Sequence, residues 1–403
     1  MANSLLTIDM ITRKTLEIFE NNLVISRNVN RQYDDSFASG GAKIGSNLRI
    51  RLPDRALVTD GAALQVQDDA EQYVNLPLAT QKHIGVNFTT AELTMQLDEF
   101  AERVLKPRVS QLASSVDADV ANCYKDIYNS VGTPGTVPGT SLVLLQANQK
   151  LNEMAVPLDP RYATVSPAAN AGLVEGMKGF FNPTGAISSQ FKSGMMGSNV
   201  LGLNEIAMSQ SITSHTEAAE IVVAPIVATT VATQGQATLA ISFTSGSPTF
   251  TKGDVFTIGS VYAVNPQTRV STGSLQQFVV TADLVISSTT TGTLAISPPL
   301  YTAAHALATV NSFPQSSAVL TFMGAAAGVY PQNLVYHKDA IAMVTADLIM
   351  PQGVDMASRQ VHNGISMRVV RQYDINNDRM PCRIDVLYGY ATIRARAACR
   401  VWG

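Results

Sequence analysis

Residues 89–131 read TTAELTMQLDEFAERVLKPRVSQLASSVDADVANCYKDIYNSV. The stretch opens on Thr89-Thr90-Ala91-Glu92, the Thr-x-x-Glu form of a capping box. Leu93, Leu97, Phe100 and Val104 follow at steps of three and four. After a one-residue phase change the series continues as Leu105, Val109, Leu112, Val116, Val120, Cys123, Ile127 and Val131. One apolar stripe at helical period predicts a long spine helix, with Asp98, Glu99, Glu102, Arg103, Arg108, Asp117, Asp119, Lys125 and Asp126 on its other faces. Pro107 at the phase change predicts a kink or restart, and Gly132 and Pro134 a stop. The part after Pro107 alone would span about 36 Å at ~1.5 Å per residue. Such a helix serves equally as the centre of an α+β enzyme or as the backbone of an elongated, plate-like subunit.

On either side of this helix the chain reads as parts of different character. Thr7 to Asn21 is amphipathic, with Ile8, Ile11, Ile18 and Phe19 on one side, and Arg13 with Lys14 within reach of Glu17. With Arg27, Arg31 and a loose Ser36–Ala42 behind it, residues 1–43 form an N-terminal arm suited to docking on a neighbouring molecule. Residues 44–88 read as a long hairpin: Asn47 to Leu52 and Ile84 to Phe88 alternate at period two, and Asp60-Gly61 and Asp68-Asp69 mark exposed turns. A two-stranded ribbon of that length is marginal in water and requires a partner surface.

Beyond the helix, 133–220 combines a Pro/Gly linker, a helix over Ser141 to Met154, strands at Arg161 to Val165 and Leu203 to Met208, and a small helix at Ala168 to Met177. From 221 to 335 the only charged residues are Lys252, Asp254, Arg269 and Asp283. Short alternating runs at Ala237 to Phe243, Asp254 to Tyr262, Gln276 to Val280 and Leu294 to Ile296 predict an inserted antiparallel β-barrel, with Lys252-Gly253-Asp254 as a turn starting one strand. The host resumes over 336–370 and closes with strands in 371–403.

The chain has 403 residues, enough for two or three cores. Only 15% of them are charged, against about 25% in an ordinary soluble domain, which suggests surface covered by other protein. A net charge of −3 argues against dedicated nucleic-acid binding. No apolar run reaches the ~18 residues of a membrane span, and the first residues lack a basic n-region. Cys123, Cys382 and Cys399 form no C-x-x-C pair and read as buried thiols of a reducing cytosol, a Cys382–Cys399 disulfide being the other option.

Signs of catalysis are missing from the sequence. His83, His215, His305, His337 and His362 stand singly, without helical pairing, and read as structural or surface residues. Neither phosphate-binding glycine motif nor a G-x-S-x-G elbow occurs, so no catalytic residue, cofactor or metal is expected. Asp68, Asp69 and Glu71 lack a calcium-loop frame and read as a partner-facing tip. Arg394, Arg396 and Arg400 recur at even spacing and face either phosphate or a neighbour's carboxylates.

The order of parts resembles the major capsid proteins of tailed double-stranded DNA phages, and within them the P22-type coat proteins. The residues that carry the likeness are Phe250-Thr-Lys-Gly-Asp-Val-Phe-Thr-Ile-Gly, Asn333-Leu-Val-Tyr-His-Lys-Asp-Ala-Ile and Arg383-Ile-Asp-Val-Leu-Tyr-Gly-Tyr-Ala. The resemblance implies an α+β, HK97-like capsid fold: arm, extended hairpin loop, spine helix (89–132) and an axial domain (133–220 and 336–370). It implies a non-enzymatic shell subunit in pentamers and hexamers of an icosahedral procapsid and virion, assembled in the host bacterial cytoplasm. Scaffolding protein, a portal protein at one vertex and non-specific contact with packaged double-stranded DNA are the implied partners, without a membrane. Candidate intersubunit contacts are Arg13, Arg27, Arg31, Arg51, Asp54, Arg55, Asp60, Asp68, Asp69, Arg394 and Arg396. Two departures stand out. The only hairpin lysine, Lys82, lies at the base rather than the tip, so no covalent cross-link is expected. The stretch Thr230 to Thr238, where P22-type proteins carry a charged bridging loop, holds Gln234 and Gln236 but no charge. The competing class is a soluble enzyme or carbohydrate-binding protein whose β insert binds ligand.

Overall fold

The apolar stripe after Pro107 is buried along its length, but the helix that carries it is shorter than its periodicity predicts. It runs Lys106–Ala121, with Val109, Leu112, Val116 and Val120 buried, and tightens into a 3₁₀ turn at Asn122–Asp126. Ile127 is already extended, and Ser130–Val131 pairs in parallel with Ala398–Trp402. Sheet pairing wins over periodicity here. Asn129 donates its side-chain amide to the carbonyls of Arg396 and Ala398, which holds the chain out of the helix, while Cys123 and Ile127 stay buried on the new path.

The computed structural model describes residues 8–32, 47–64, 66, 71–89, 106–176, 197–218, 225–243, 248–286, 290–377 and 379–403. The capping box beyond Thr89, the stripe from Leu93 to Leu105, the Ser36–Ala42 segment, Asp68 and Asp69 lie outside the described residues, as does most of the region from Phe180 to Gly202. The chain forms two compact units. One comprises Met1–Ile50, Tyr73–Val120 and Ile341–Ile393, the other Arg51–Gln72, Ala121–Ala340 and Arg394–Gly403.

In the first unit, the 14-residue strand Arg379–Thr392 organises a five-stranded sheet. Thr80–Thr89 pairs with it antiparallel from Tyr388 to Arg379, Ile365–Arg371 pairs with its residues Cys382 to Asp385, and Ile341–Ala346 with Leu387 to Thr392. Asn47–Arg51 and Tyr73–Pro77 form a separate two-stranded ribbon. The predicted strands of residues 44–88 therefore divide between a short ribbon and the main sheet.

The first helix, Ile8–Asn22, belongs to this unit and packs on Met356–His362 and Ile365–Arg371. Leu16, Phe19, Leu23, Ile25 and Val29 are buried, each stabilising the unit by roughly 1.5–3 kcal/mol. Asp117, read from sequence as polar-face filler, is 1% exposed. Its carboxylate accepts the backbone N–H of Val24 at 2.6 Å, the N–H of Ser26 at 3.0 Å and the Ser26 hydroxyl at 2.5 Å, at the start of the short helix Ile25–Asn28. Residues 12–30 of the expected arm pack on their own unit, where Asp117 serves a helix start that has no side-chain cap of its own.

In the second unit, a seven-stranded sheet takes Ser130–Val131, Ala398–Trp402, Val329–His337, Arg161–Val165, Leu203–Met208 and Gly197–Val200 in that order, with Ser214–Thr216 beside Val329–His337. A six-stranded sheet takes Leu320–Phe322, Val255–Val264, Ser271–Val280, Thr291–Leu300, Gln236–Ser242 and Ile226–Val227. Its two edges meet: Val227 N–H donates to Ala318 O at 2.9 Å, and Leu320 N–H donates to Pro225 O at 2.8 Å. The sheet thus curls into a nearly closed barrel. Leu239, Ile241, Phe256, Ile258, Phe278, Leu294 and Ile296 fill it, with Phe256 between Phe278 at 5.7 Å and Phe322 at 5.0 Å. Cys123, Cys382 and Cys399 are buried free thiols, so the disulfide option does not apply.

Candidate functional site

Between the ribbon strands, the described residues of 52–72 hold no regular secondary structure. Val58, Leu64 and Val66 are 81, 89 and 86% exposed, the reverse of what an isolated soluble chain does with three aliphatic side chains. Arg51 pairs with Glu71 of the same chain at 3.1 Å, both well exposed. Asp54 and Asp60 are exposed, as are Arg13 and Arg27 on the leading helices. Arg31 is committed internally: its Nε and Nη2 donate to Ser26 O, and its Nη1 to Asn363 O. Lys82 is also held, 2.7 Å from Asp119 Oδ2 and donating to Ser115.

Three of the candidate arginines gather. Arg55, Arg394 and Arg396 are half-buried near Tyr128; Arg396 feels the charges of Arg55 and Arg394, and Arg55 that of Arg394. Burial, and then the charge of Arg55, pull Arg396 down to about 10. Burial pushes Tyr128 up to about 12, against the pull of Arg396 and Arg55. Among the described residues no carboxylate lies within 4 Å of these three guanidinium groups in an ion pair, so the patch is one that attracts anions.

The uncharged loop Thr230 to Thr238 is tied to its own barrel. Gln234 donates to the Thr302 hydroxyl at 2.7 Å and accepts the Thr302 N–H at 2.9 Å, and Thr230 accepts Ser316 N–H at 3.0 Å.

The densest polar cluster lies where the barrel joins its host, and the sequence reading missed it. Gly253, at φ +110°, turns the chain so that Asp254 points inward; a Cβ there would lie 2.9 Å from the His215 ring. His215 Nε2 is 2.9 Å from Asp254 Oδ1 and 4.0 Å from Glu217 Oε1, and its Nδ1 is 3.1 Å from the Tyr124 hydroxyl. Asp254 Oδ2 accepts Thr251 N–H at 2.8 Å. Arg400, fully buried, donates to Gly253 O at 2.8 Å and lies over the rings of Tyr124 and Trp402. No protein donor faces either Glu217 oxygen, whose side-chain contact is with the Asp254 carboxyl, and Arg400 Nε and Nη2 have no acceptor. Burial, then the nearby Asp254 charge, push Glu217 far above the usual carboxylate range, and burial brings Arg400 down to about 10. His215, on the strand Ser214–Thr216, and Asp254, just before the strand Val255–Val264, are 39 positions apart and meet only where the barrel docks, so spacing rules carry no sign of them.

A structure from Mycobacterium phage Che8 is 12% identical, covering 94% of this chain and 90% of its own, with a TM-score of 0.49. The mature capsid of bacteriophage PhiM1 is 12% identical over 89% of this chain and 82% of its own, TM-score 0.42, and the capsid of Cyanophage P-SCSP1u is 10% identical over 89% and 83%, TM-score 0.42. No curated protein sequence matches the chain. The family profile described as "P22 coat protein - gene protein 5" matches residues 1–400, nearly the whole length, and the chain therefore belongs to the P22 coat protein family.

Proposed function

We propose that the loop Arg51–Gln72 is the segment by which copies of this chain hold one another in the shell. The chain is a major capsid protein, and its family is a structural one. The observation that carries the loop's role is the exposure of Val58, Leu64 and Val66 on a stretch without regular structure. Aliphatic side chains left in water gain about 25 cal/mol per Å² when a neighbour covers them, and a shell supplies such a neighbour for every copy. Arg55, Arg394 and Arg396 supply an anion-seeking patch for a neighbour's carboxylates, and Arg13, Arg27, Asp54 and Asp60 add exposed charge for the same contacts. The same reading takes the copies as pentamers and hexamers of an icosahedral lattice, assembled with scaffolding and portal proteins in the bacterial cytoplasm and in non-specific contact with packaged double-stranded DNA; membership of a coat-protein family is what supports it.

Negative-stain microscopy of the expressed chain tests this reading. Shells, tubes or sheets are expected for the natural sequence. A variant carrying Val58→Ser, Leu64→Ser and Val66→Ser should keep its thermal midpoint and remain in small species. Assembly of the variant at the natural concentration would overturn the loop's role. A monodisperse small oligomer of the natural chain at every concentration would overturn self-assembly through it.

A further inference from the structure

We propose that His215, Glu217 and Asp254 form a site for one divalent transition cation of the zinc type, which fastens the inserted barrel to its host. All three side chains are buried, and their ligand atoms lie within 4.8 Å of one another. A tetrahedral ion with bonds of ~2.0–2.1 Å separates its ligand atoms by roughly 3.3 Å. The 2.9 and 4.0 Å distances from His215 Nε2 straddle that value, and the carboxylate pair lies within 4.8 Å, so side-chain adjustment brings the set to it. A nitrogen with carboxylate oxygens suits zinc, whereas magnesium and calcium favour oxygen alone.

The outer atoms are already occupied, as they are around bound metals. The Tyr124 hydroxyl sits on His215 Nδ1, and Thr251 N–H on Asp254 Oδ2, which leaves Nε2 and Oδ1 directed at each other. The independent sign is Glu217. Its side chain is wholly buried, no protein donor reaches either oxygen, and its one side-chain contact is with the Asp254 carboxyl, a pair that only a shared proton or a cation can hold together. A single proton would serve one of those oxygens; a metal serves both, or one with water as a fourth ligand. Charge also leaves room for a cation. Once Glu217 has given up its proton to act as a ligand, Asp254 and Glu217 against Arg400 sum to −1 with an uncharged imidazole, and Arg400 is turned to Gly253 O and the faces of Tyr124 and Trp402. On loading, the proton held by Glu217 leaves to solvent. The imidazole proton moves from Nε2 to Nδ1, where the Tyr124 oxygen accepts it. No redox step is involved.

The test uses the full chain, because the ion would enter as the joint folds. The chain is unfolded and refolded with zinc or with cobalt(II), dialysed, and its metal content measured; the cobalt form is also read by visible absorption. The expected result is one equivalent per chain, an intense tetrahedral cobalt spectrum, and a raised thermal midpoint. Glu217→Gln, which keeps the side chain's volume, should weaken binding at least ~10-fold and abolish the spectrum. Failure to retain metal would overturn the site and leave a proton as the joint's counter-ion. Equal binding by natural chain and Glu217→Gln would place the metal elsewhere and overturn it too.

Discussion

The side-chain amide of Gln277 pairs with the main chain of Ser130 as a strand would. Ser130 N–H donates to Gln277 Oε1 at 2.8 Å, and Gln277 Nε2 donates to Ser130 O at 2.8 Å. Gln277 lies on the barrel strand Ser271–Val280 and Ser130 at the edge of the host sheet, so one side chain extends that sheet into the insert. Around it, Val255 and Val279 of the barrel pack on Tyr128 and Trp402 of the host. Gln277→Ala leaves a buried N–H and C=O without partners, at a cost of about 1–3 kcal/mol each. Urea unfolding of the variant should show a loss in that range. Indistinguishable midpoints would mean that water replaces the amide.

Acid should loosen the leading helix through Glu20. Burial alone would raise its pKa, but hydrogen bonds from Asn363 and His362, with the charges of His362 and Arg31, bring it below its ordinary value near 4.5. A carboxyl depressed in the folded state stabilises above its unfolded pKa, and that stability fades as pH falls through the folded value. Glu20→Gln should therefore be less stable than the natural chain at pH 7 and show a shallower decline below about pH 4.5. Parallel stability curves for the two proteins would rule Glu20 out.

Lys82 is engaged within its own chain, between Asp119 and Ser115, with Tyr388 donating to the same Asp119 oxygen. Assembled shells boiled in detergent should run as a single 43.0 kDa band without a covalent ladder. Lys82→Gln should cost about 1 kcal/mol, because it leaves Asp119 with Tyr388 alone. A ladder of multiples that disappears in Lys82→Gln would show this lysine free to react in the shell.

The thiols should be slow. Burial pushes Cys399 up to about 12 and Cys382 up to about 11, against weaker pulls from nearby cations, and thiolate is the reactive form. A thiol reagent at pH 8 should find no fast-reacting cysteine in the native chain and three after denaturation. A fast native thiol would show that one of the three burial sites opens on the reagent's timescale.

Local pattern and tertiary structure divided the work unevenly. Short-range alternation sufficed for the barrel strands, because a half-buried strand must alternate whatever it pairs with, and a short apolar run marked Arg161–Val165 as a buried strand; of the closing strand Arg379–Thr392 the pattern showed the part from Ile384 on. Val109, Leu112, Val116 and Val120 were likewise legible as a buried face. The three arginines Arg55, Arg394 and Arg396 could be picked out as charge, but not as neighbours.

What the amino-acid sequence determined alone was which residues must leave water and at what spacing, and hence the succession of helix, ribbon, insert and closing strands. Where the long helix ends, that Asp117 turns inward to hold Val24 and Ser26, and that His215, Glu217 and Asp254 converge were decided only by the fold. The physical reason is the range of the forces. Hydrophobic period is a property of neighbours along the chain, whereas a buried polar group is stable only beside partners that chain order does not specify.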